Sequence, residues 1–291
     1  MEHLGLFSEL VLVNAILKTV QYRRGFLKKF GCTLIFLIVF IAACARVPLT
    51  ERKTLQLLPE QELLALSLEQ YDQVLSKSKL SQDKQKVEMV RRVGRRIAKA
   101  AEEFLEEEGL GHEVENYQWE FNLIKDDKTV NAWCMPGGKV AVYTGILKYT
   151  KDEAGLAVVL GHEIAHAIAH HGNERMSQAL LAKMGGIGLS VALSQRPAET
   201  RQLFMAAFGL AANVGFLLPY SRIQESEADH IGVILMAKAG YDPRAALAFW
   251  DRMRKASKSR APEFLSTHPA PRTRIKRLRV YVQEALGYYK E

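Results

Sequence analysis

Cysteine is scarce in this 291-residue sequence, which holds only Cys32, Cys44 and Cys134. Three thiols exclude a disulfide scaffold and a closed zinc site built from four cysteines. A strong charge of one sign is also missing. Lys and Arg number 40 against 32 Asp and Glu, and acidic runs such as Glu106-Glu107-Glu108 interrupt the basic ones. So modest an excess carries little argument for a nucleic-acid partner. What is present is ordinary globular composition, 48% hydrophobic and 25% charged. It excludes a disordered, collagen-like or many-spanning membrane chain, and the length allows one or two domains with a sizeable core.

Residues 32–43 read CTLIFLIVFIAA, without a charge, and follow Arg23, Arg24, Lys28 and Lys29. A basic stretch, a short apolar run and small residues, in that order, form a secretory signal. The run falls well short of the ~20 residues a membrane-spanning helix needs. Ile41-Ala42-Ala43-Cys44 then resembles the bacterial lipobox, in which the cysteine is lipidated and becomes the mature N-terminus. On this reading residues 1–43 are a signal peptide, 44–59 a lipidated tether and 60–291 the functional domain. The stretch before Arg23 carries Glu2, Glu9 and a second apolar run, which suits a start codon set too far upstream. Ala45, rather than Asp, after the cysteine resembles Gram-negative outer-membrane sorting. The expected location is therefore the bacterial cell envelope, lipid-anchored at the outer membrane and facing the periplasm.

Apolar spacing predicts helices over residues 60–76 and 84–108. A strand follows around Trp119, Phe121 and Leu123, and after a turn at Lys125–Lys128 a second extended segment runs through Pro136-Gly137-Gly138 to Val140-Ala141-Val142-Tyr143. A helix is expected from 150 to about 171, opened by a Thr150–Glu153 capping box and closed by Gly172. Further helices are expected over 175–194, 202–218, 222–239 and 243–257, the last opened by Asp242-Pro243. Residues 203–219 lack charge, and their small residues and Asn213 favour a buried helix over a membrane-dipping one. The expected fold is α+β, mainly helical, with a small mixed sheet beside the helix that carries the chemistry.

That helix contains His162-Glu163-Ile164-Ala165-His166. Histidines at i and i+4 share one helical face, so both imidazoles can reach one metal ion. Glu163 sits one residue on and can deprotonate an attacking water without itself ligating. A catalytic zinc takes three protein ligands and keeps one open position. His170 lies eight residues from His162, roughly 12 Å along the axis, too far to share the ion at bonds of ~2 Å. His170 and His171 are expected at the helix C-terminus, where imidazolium suits the dipole. The third ligand must come from another element. In Ser221-Arg222-Ile223-Gln224-Glu225-Ser226-Glu227-Ala228-Asp229, Glu225 and Asp229 share a face while Glu227 points elsewhere. Glu225 can ligate, and Asp229 can take the far ring nitrogen of a ligand histidine.

The two motifs in order, HExxH and SRxxExEAD, resemble those of the gluzincin metallopeptidases that include the CAAX prenyl proteases, the Oma-type mitochondrial proteases and many bacterial lipoprotein proteases. Asn131-Ala132, Pro136-Gly137-Gly138 and Val142-Tyr143-Thr144-Gly145 also match the family's strand before the zinc helix. So does Ser266-Thr267-His268-Pro269, with Arg274 six residues after the histidine. The resemblance covers most of residues 45–285. It implies a zincin-type fold and one zinc ion per chain held by His162, His166 and Glu225. It also implies that His268 and Arg274 face the active site. Cys134 departs from the motif and reads as a small buried hydrophobe.

The resemblance implies a metalloendopeptidase. Glu163 then acts as the general base, and His268 or Arg274, with Tyr220 as a weaker candidate, stabilises the oxyanion. His268 has a second reading, as a fourth ligand that closes the site at rest. Extended or unfolded polypeptide is the expected partner, added as a strand along Lys139, Val140, Ala141, Val142 and Tyr143. Two other classes stand beside this one. A metal-free, lipid-anchored assembly factor would keep the fold without activity. A nucleic-acid binder rests only on Arg272, Arg274, Lys276, Arg277 and Arg279, whose alternation with apolar residues is that of an amphipathic helix.

Overall fold

The computed structural model describes residues 44–184, 188–208, 221–257, 262–269 and 272–290. The expected signal peptide and most of the uncharged 203–219 stretch, with Tyr220, lie outside them. The chain divides into two units, Met1–Ala45 and Arg46–Glu291. In order, the elements are β1 (Cys44–Arg46), β2 (Lys53–Leu55), α1 (Glu60–Lys77), α2 (Lys84–Glu107), β3 (Glu120–Ile124), β4 (Ala132–Met135) and β5 (Lys139–Tyr143). Then come α3 (Leu147–Thr150), α4 (Glu153–Ile168), α5 (His171–Met184), α6 (Leu189–Gln195), α7 (Pro197–Ala207), α8 (Arg222–Lys238), α9 (Ala245–Ala256), α10 (Phe264–Thr267) and α11 (Arg272–Ala285). The fold is mainly helical with one small mixed sheet, as expected. No described helix is long and apolar enough to cross a membrane.

The sheet order is β3-β5-β4, with β3 parallel and β4 antiparallel to β5. Gly137 and Gly138 turn the β4–β5 hairpin with φ of 78° at both, a region that glycine adopts without steric cost. Side chains alternate between faces. Phe121, Leu123, Ala132, Cys134, Val140 and Val142 join the core built with α2, α4 and α8. Trp133, Met135 and Ala141 face a second core with Tyr71, Met176 and Phe204. Cys134 is the expected buried hydrophobe, and burial pushes its thiol well up. The order corrects one expectation. Lys139–Tyr143 is the central strand, with hydrogen-bonded neighbours on both sides, so no peptide can add along it. Local alternation identifies a strand but not its place in the sheet.

The zinc-helix termini also differ from expectation. Lys151 takes a left-handed φ of 69°, which ends α3 at Thr150 and hands the cap to Asp152. Asp152 Oδ1 accepts from Gly155 N at 2.7 Å. Glu153 turns to Arg92 and Tyr241 instead of closing a box. At the other end α4 stops at Ile168, His170 is left-handed at φ 52°, and a new helix starts at His171. Gly172 is therefore inside α5. It is there for space, since a Cβ would lie 1.9 Å from Phe208 Cε1. In the last helices the difference is small: Asp242 Oδ1 caps Arg244 N, and α9 proper begins at Ala245.

α4 is buried along nearly its whole length and packs against α2 and α8. Its approach to α8 is closest at two glycines. A Cβ on Gly161 would lie 2.8 Å from Gly232 O, and one on Gly232 would lie 3.0 Å from both Gly161 C and His162 N. Backbone meets backbone there, so no side-chain rotation relieves an added methyl. Gly232→Ala should destabilise by ~1–3 kcal/mol through overpacking, a fall of roughly 2–10 °C in the melting midpoint. An unchanged midpoint in a thermal melt would refute the close contact.

Candidate metal centre

One helical turn on α4 sets His162 above His166. Their rings stand edge to face at 4.6 Å, with the two Nε2 atoms 3.1 Å apart. α8 supplies the acid side. It starts with a capping box absent from the sequence reading, in which Ser221 Oγ accepts from Gln224 N and Gln224 Oε1 accepts from Ser221 N. The S-x-x-Q spacing was its available signal. The box puts Glu225 in the first buried turn. Glu225 Oε1 lies 3.3 Å from His166 Nε2, and Glu225 Oε2 lies 3.7 Å from His162 Nε2. His268, just after α10, completes a group of four whose ligand atoms all lie within 4.8 Å of one another.

His162 and His166 each have a partner at the far ring nitrogen. His162 Nδ1 stands 3.2 Å from Asp229 Oδ1, and His166 Nδ1 stands 2.8 Å from His171 Nδ1. With protons on both Nδ1 atoms, both Nε2 atoms carry lone pairs and face each other. Two lone pairs and a carboxylate aimed at one point repel unless a cation lies between them. The three separations, 3.1, 3.3 and 3.7 Å, bracket the ~3.3 Å edge of a tetrahedron with bonds of ~2.0–2.1 Å. The donor set therefore fits zinc. Burial lowers both histidines well below the usual imidazole range, which keeps them in the neutral form a metal requires.

The acids around the point behave differently from one another. Burial pushes Glu163 well above the usual carboxylate range, with the charge of Glu225 adding to it. Its Oε1 makes no hydrogen bond and lies 3.4 Å from His268 Nε2. For Glu225 burial acts upward too, but His268, Arg274 and His166 outweigh it and hold the carboxyl well below its ordinary value. Burial raises Asp229 to about 6 against the pull of Arg274, so it is still ionised at neutral pH.

Arg274 reaches the site from behind. It is 1% exposed, donates to Glu225 Oε2 at 2.7 Å and forks onto Asp229 at 2.6 and 2.8 Å. Its Cζ also lies 3.3 Å from the centroid of the Trp250 ring. With Nη1 also donating to Pro269 O at 3.0 Å, the guanidinium is directed at the two carboxylates and the adjoining backbone. It is also withdrawn from any basic surface on α11. His268 Nδ1 sits 2.8 Å from Glu225 Oε1 and 3.1 Å from His162 Nε2, at the fourth corner of the group. Glu227, read from sequence as pointing away, is buried against His171 and Arg52. Burial alone would raise it, but those two hydrogen bonds hold it down to about 2. His171, expected as a cap on the helix end, is fully buried beneath His166.

Glu225→Gln should lose bound zinc, because a neutral amide is a poor ligand for this ion. Asp229→Asn should keep a site but weaken it ~10–100-fold. Metal analysis of the purified variants checks both, and a fully loaded Glu225→Gln protein would overturn the ligand assignment.

The chain is similar to several proteins of known class. Across 174 residues it is 40% identical to the "Mitochondrial metalloendopeptidase OMA1" of Schizosaccharomyces pombe, covering 59% of this chain and 49% of that protein. It is 30% identical over 266 residues to the human "Metalloendopeptidase OMA1, mitochondrial", covering 89% of this chain and 49% of that protein. Against the "Beta-barrel assembly-enhancing protease" of Escherichia coli it is 31% identical over 163 residues, covering 53% of this chain and 32% of that protein. The chain thus spans about half, or less, of the length of these relatives. Residues 88–282 match the sequence profile of Peptidase family M48. With that match over most of its length, and with the His162, His166, Glu225 and His268 zinc site typical of the family's metalloendopeptidases, the chain belongs to Peptidase family M48.

Proposed function

We propose that this protein is a zinc-dependent metalloendopeptidase that cleaves unfolded or misassembled polypeptides in the bacterial cell envelope. The observation that carries the reading is the convergence of two neutral imidazoles and a carboxylate on one point, with the unbonded Oε1 of Glu163 beside it. Bound zinc would lower the pKa of a water and polarise the scissile carbonyl. Glu163 receives the attacking water's proton at Oε1 and returns it to the leaving amine. Its raised proton affinity suits a group that must both take and give a proton. His268 closes the site at rest from the fourth corner. Its alternative role would be to donate from the imidazole to the developing oxyanion. Arg274 and Asp229 hold the ligands in place.

Substrate adds to β4 rather than β5. The outer edge of β3 already takes a bond from Ser81 N to Leu123 O, with Lys125 N to Lys79 O just beyond. β4 is the remaining edge, and its Ala132 and Cys134 face the core that contains α4. Tyr143 N bonds to Asn131 O, so in antiparallel alternation the peptide groups of Ala132 and Cys134 point away from β5, where Ala132 N donates to Asn131 Oδ1 at 2.9 Å, a bond that an added strand replaces. Main-chain pairing there accepts any extended sequence. The Escherichia coli relative is named for enhancing β-barrel assembly, which supports misassembled envelope proteins as the substrate class. Cys44, following the signal-like run, supports a lipid anchor with several acyl chains at the outer membrane.

Casein digestion by the purified protein tests the activity. A zinc chelator should abolish it. Glu163→Gln should keep its zinc and lose ~10²–10⁴-fold in kcat. Equal digestion with and without chelator would defeat the reading. Fractionation tests the anchor: Cys44→Ala should release the protein to the soluble fraction or stall its precursor. A variant that is cleaved yet fully membrane-bound would refute lipidation.

A further inference from the structure

His162 and His166 are each backed, directly or through a second ring, by a carboxylate that an arginine holds, but the two chains differ in length. His162 meets Asp229 directly, and Arg274 holds Asp229. His166 instead meets His171, whose Nε2 lies 3.0 Å from Glu227 Oε2. Glu227 in turn accepts from Arg52 Nε at 2.8 Å, from Arg52 Nη2 at 3.0 Å and from Thr50 Oγ1 at 2.9 Å. Arg52 also forks onto Glu174 at 2.8 and 2.9 Å. We propose that Arg52, Glu227 and His171 form a positioning relay that fixes the ring orientation and tautomer of His166 as a metal ligand.

Donor counting gives the relay a single direction. His166 ligates through Nε2, so its Nδ1 carries the proton and donates to the bare Nδ1 of His171. His171 then carries its own proton on Nε2 and donates to Glu227. Glu227 is left with two donors on each oxygen, Thr50 and Arg52 Nε on Oε1, and His171 and Arg52 Nη2 on Oε2. Any rotation of His171 breaks two bonds at once. Burial adds to the constraint, since His171, Glu174 and Glu227 are all inside and water has little access to substitute for a lost partner. Arg52 comes from the stretch around β2, far from α4 and α8 in sequence. The relay therefore ties the N-terminal part of the unit Arg46–Glu291 to the metal ligand.

This inference rests on the zinc reading and tests separately from it. Zinc affinity is measured on the full chain by competition with a chromophoric chelator. Failure of the unsubstituted protein to bind zinc would sink the proposed function. Given wild-type binding, Glu227→Gln and Arg52→Gln should each raise the zinc Kd ~10–100-fold, the range for groups that orient a ligand. Arg52→Lys, which restores the charge but not the fork, should fall between them and wild type. The double variant Arg52→Gln/Glu227→Gln should be no weaker than the worse single, because both act through His171. The cobalt-substituted variants should show an altered absorption spectrum, which a purely structural brace would leave unchanged. If Arg52→Gln does not fold, Glu227→Gln and Arg52→Lys decide the matter by the same readings. A folded Glu227→Gln protein with wild-type zinc Kd and cobalt spectrum overturns the relay, even if its melting midpoint falls.

Discussion

Everything at the metal centre depends on how closely α4 and α8 approach at Gly161 and Gly232. Two helices of ordinary side chains sit 8–10 Å apart. Here neither carries a Cβ at the contact, and backbone touches backbone. That closeness lets the carboxylates of α8 reach His162, one residue beyond the contact on α4, and His166 a turn further on. It also seals the cluster from water. His162, Glu163, His166, Glu225, Asp229, His268 and Arg274 are all buried. Unpaired charges at such depth are costly, often by several kcal/mol each. One guanidinium offsets only one of the two carboxylate charges it meets, while the imidazoles stay neutral, so the cluster keeps a negative excess that favours a bound cation.

The same burial separates two glutamates that composition cannot distinguish. Glu163 and Glu225 both lie in the cluster and both lose hydration. Glu225 has Arg274 against one oxygen and His268 against the other, so its anion is favoured. Glu163 has no hydrogen bond at Oε1 and a neighbouring negative charge, so its proton is favoured. One is held as an anion, and the other is left with its proton favoured. Paired acids pushed apart by their surroundings are a general way to divide such roles. The division follows from His268 and Arg274, which both bond directly to Glu225 and not to the Glu163 Oε1.

Features with a local period were legible in the sequence. The i, i+4 spacings of His162 with His166 and of Glu225 with Asp229 placed each pair on one face. The alternation in β3 marked it as a strand, while β5 was legible only as part of an extended segment. Features set by distant parts of the chain were not legible. The central position of β5 depends on β3 and β4 pairing with it from opposite sides, and no local pattern encodes that order. The family resemblance brought Arg274 to the site, yet its engagement with Glu225, Asp229 and Trp250 follows from the path of α11. The link between Arg52 and Glu227 spans 175 residues and leaves no spacing signal.

His171 shows how one local misreading hides a distant interaction. Residues five apart on a continuous helix differ by about 140° in direction at 3.6 residues per turn. On a helix running through 171, His171 would point away from His166 and toward solvent or a helix end. The break removes that geometry. α4 ends at Ile168, His170 turns left-handed, and its ring is held by Glu113 Oε2 at 2.8 Å. The next residue then starts a new helix from a changed direction, with its ring beneath His166 Nδ1. A left-handed residue with a Cβ is disfavoured, and Asn, Asp and His are the residues found there more often than most. The cost at His170 is thus repaid by what it positions. Without the reversal, Glu227, about 200° around α8 from Glu225, would have no route to the metal side of α4.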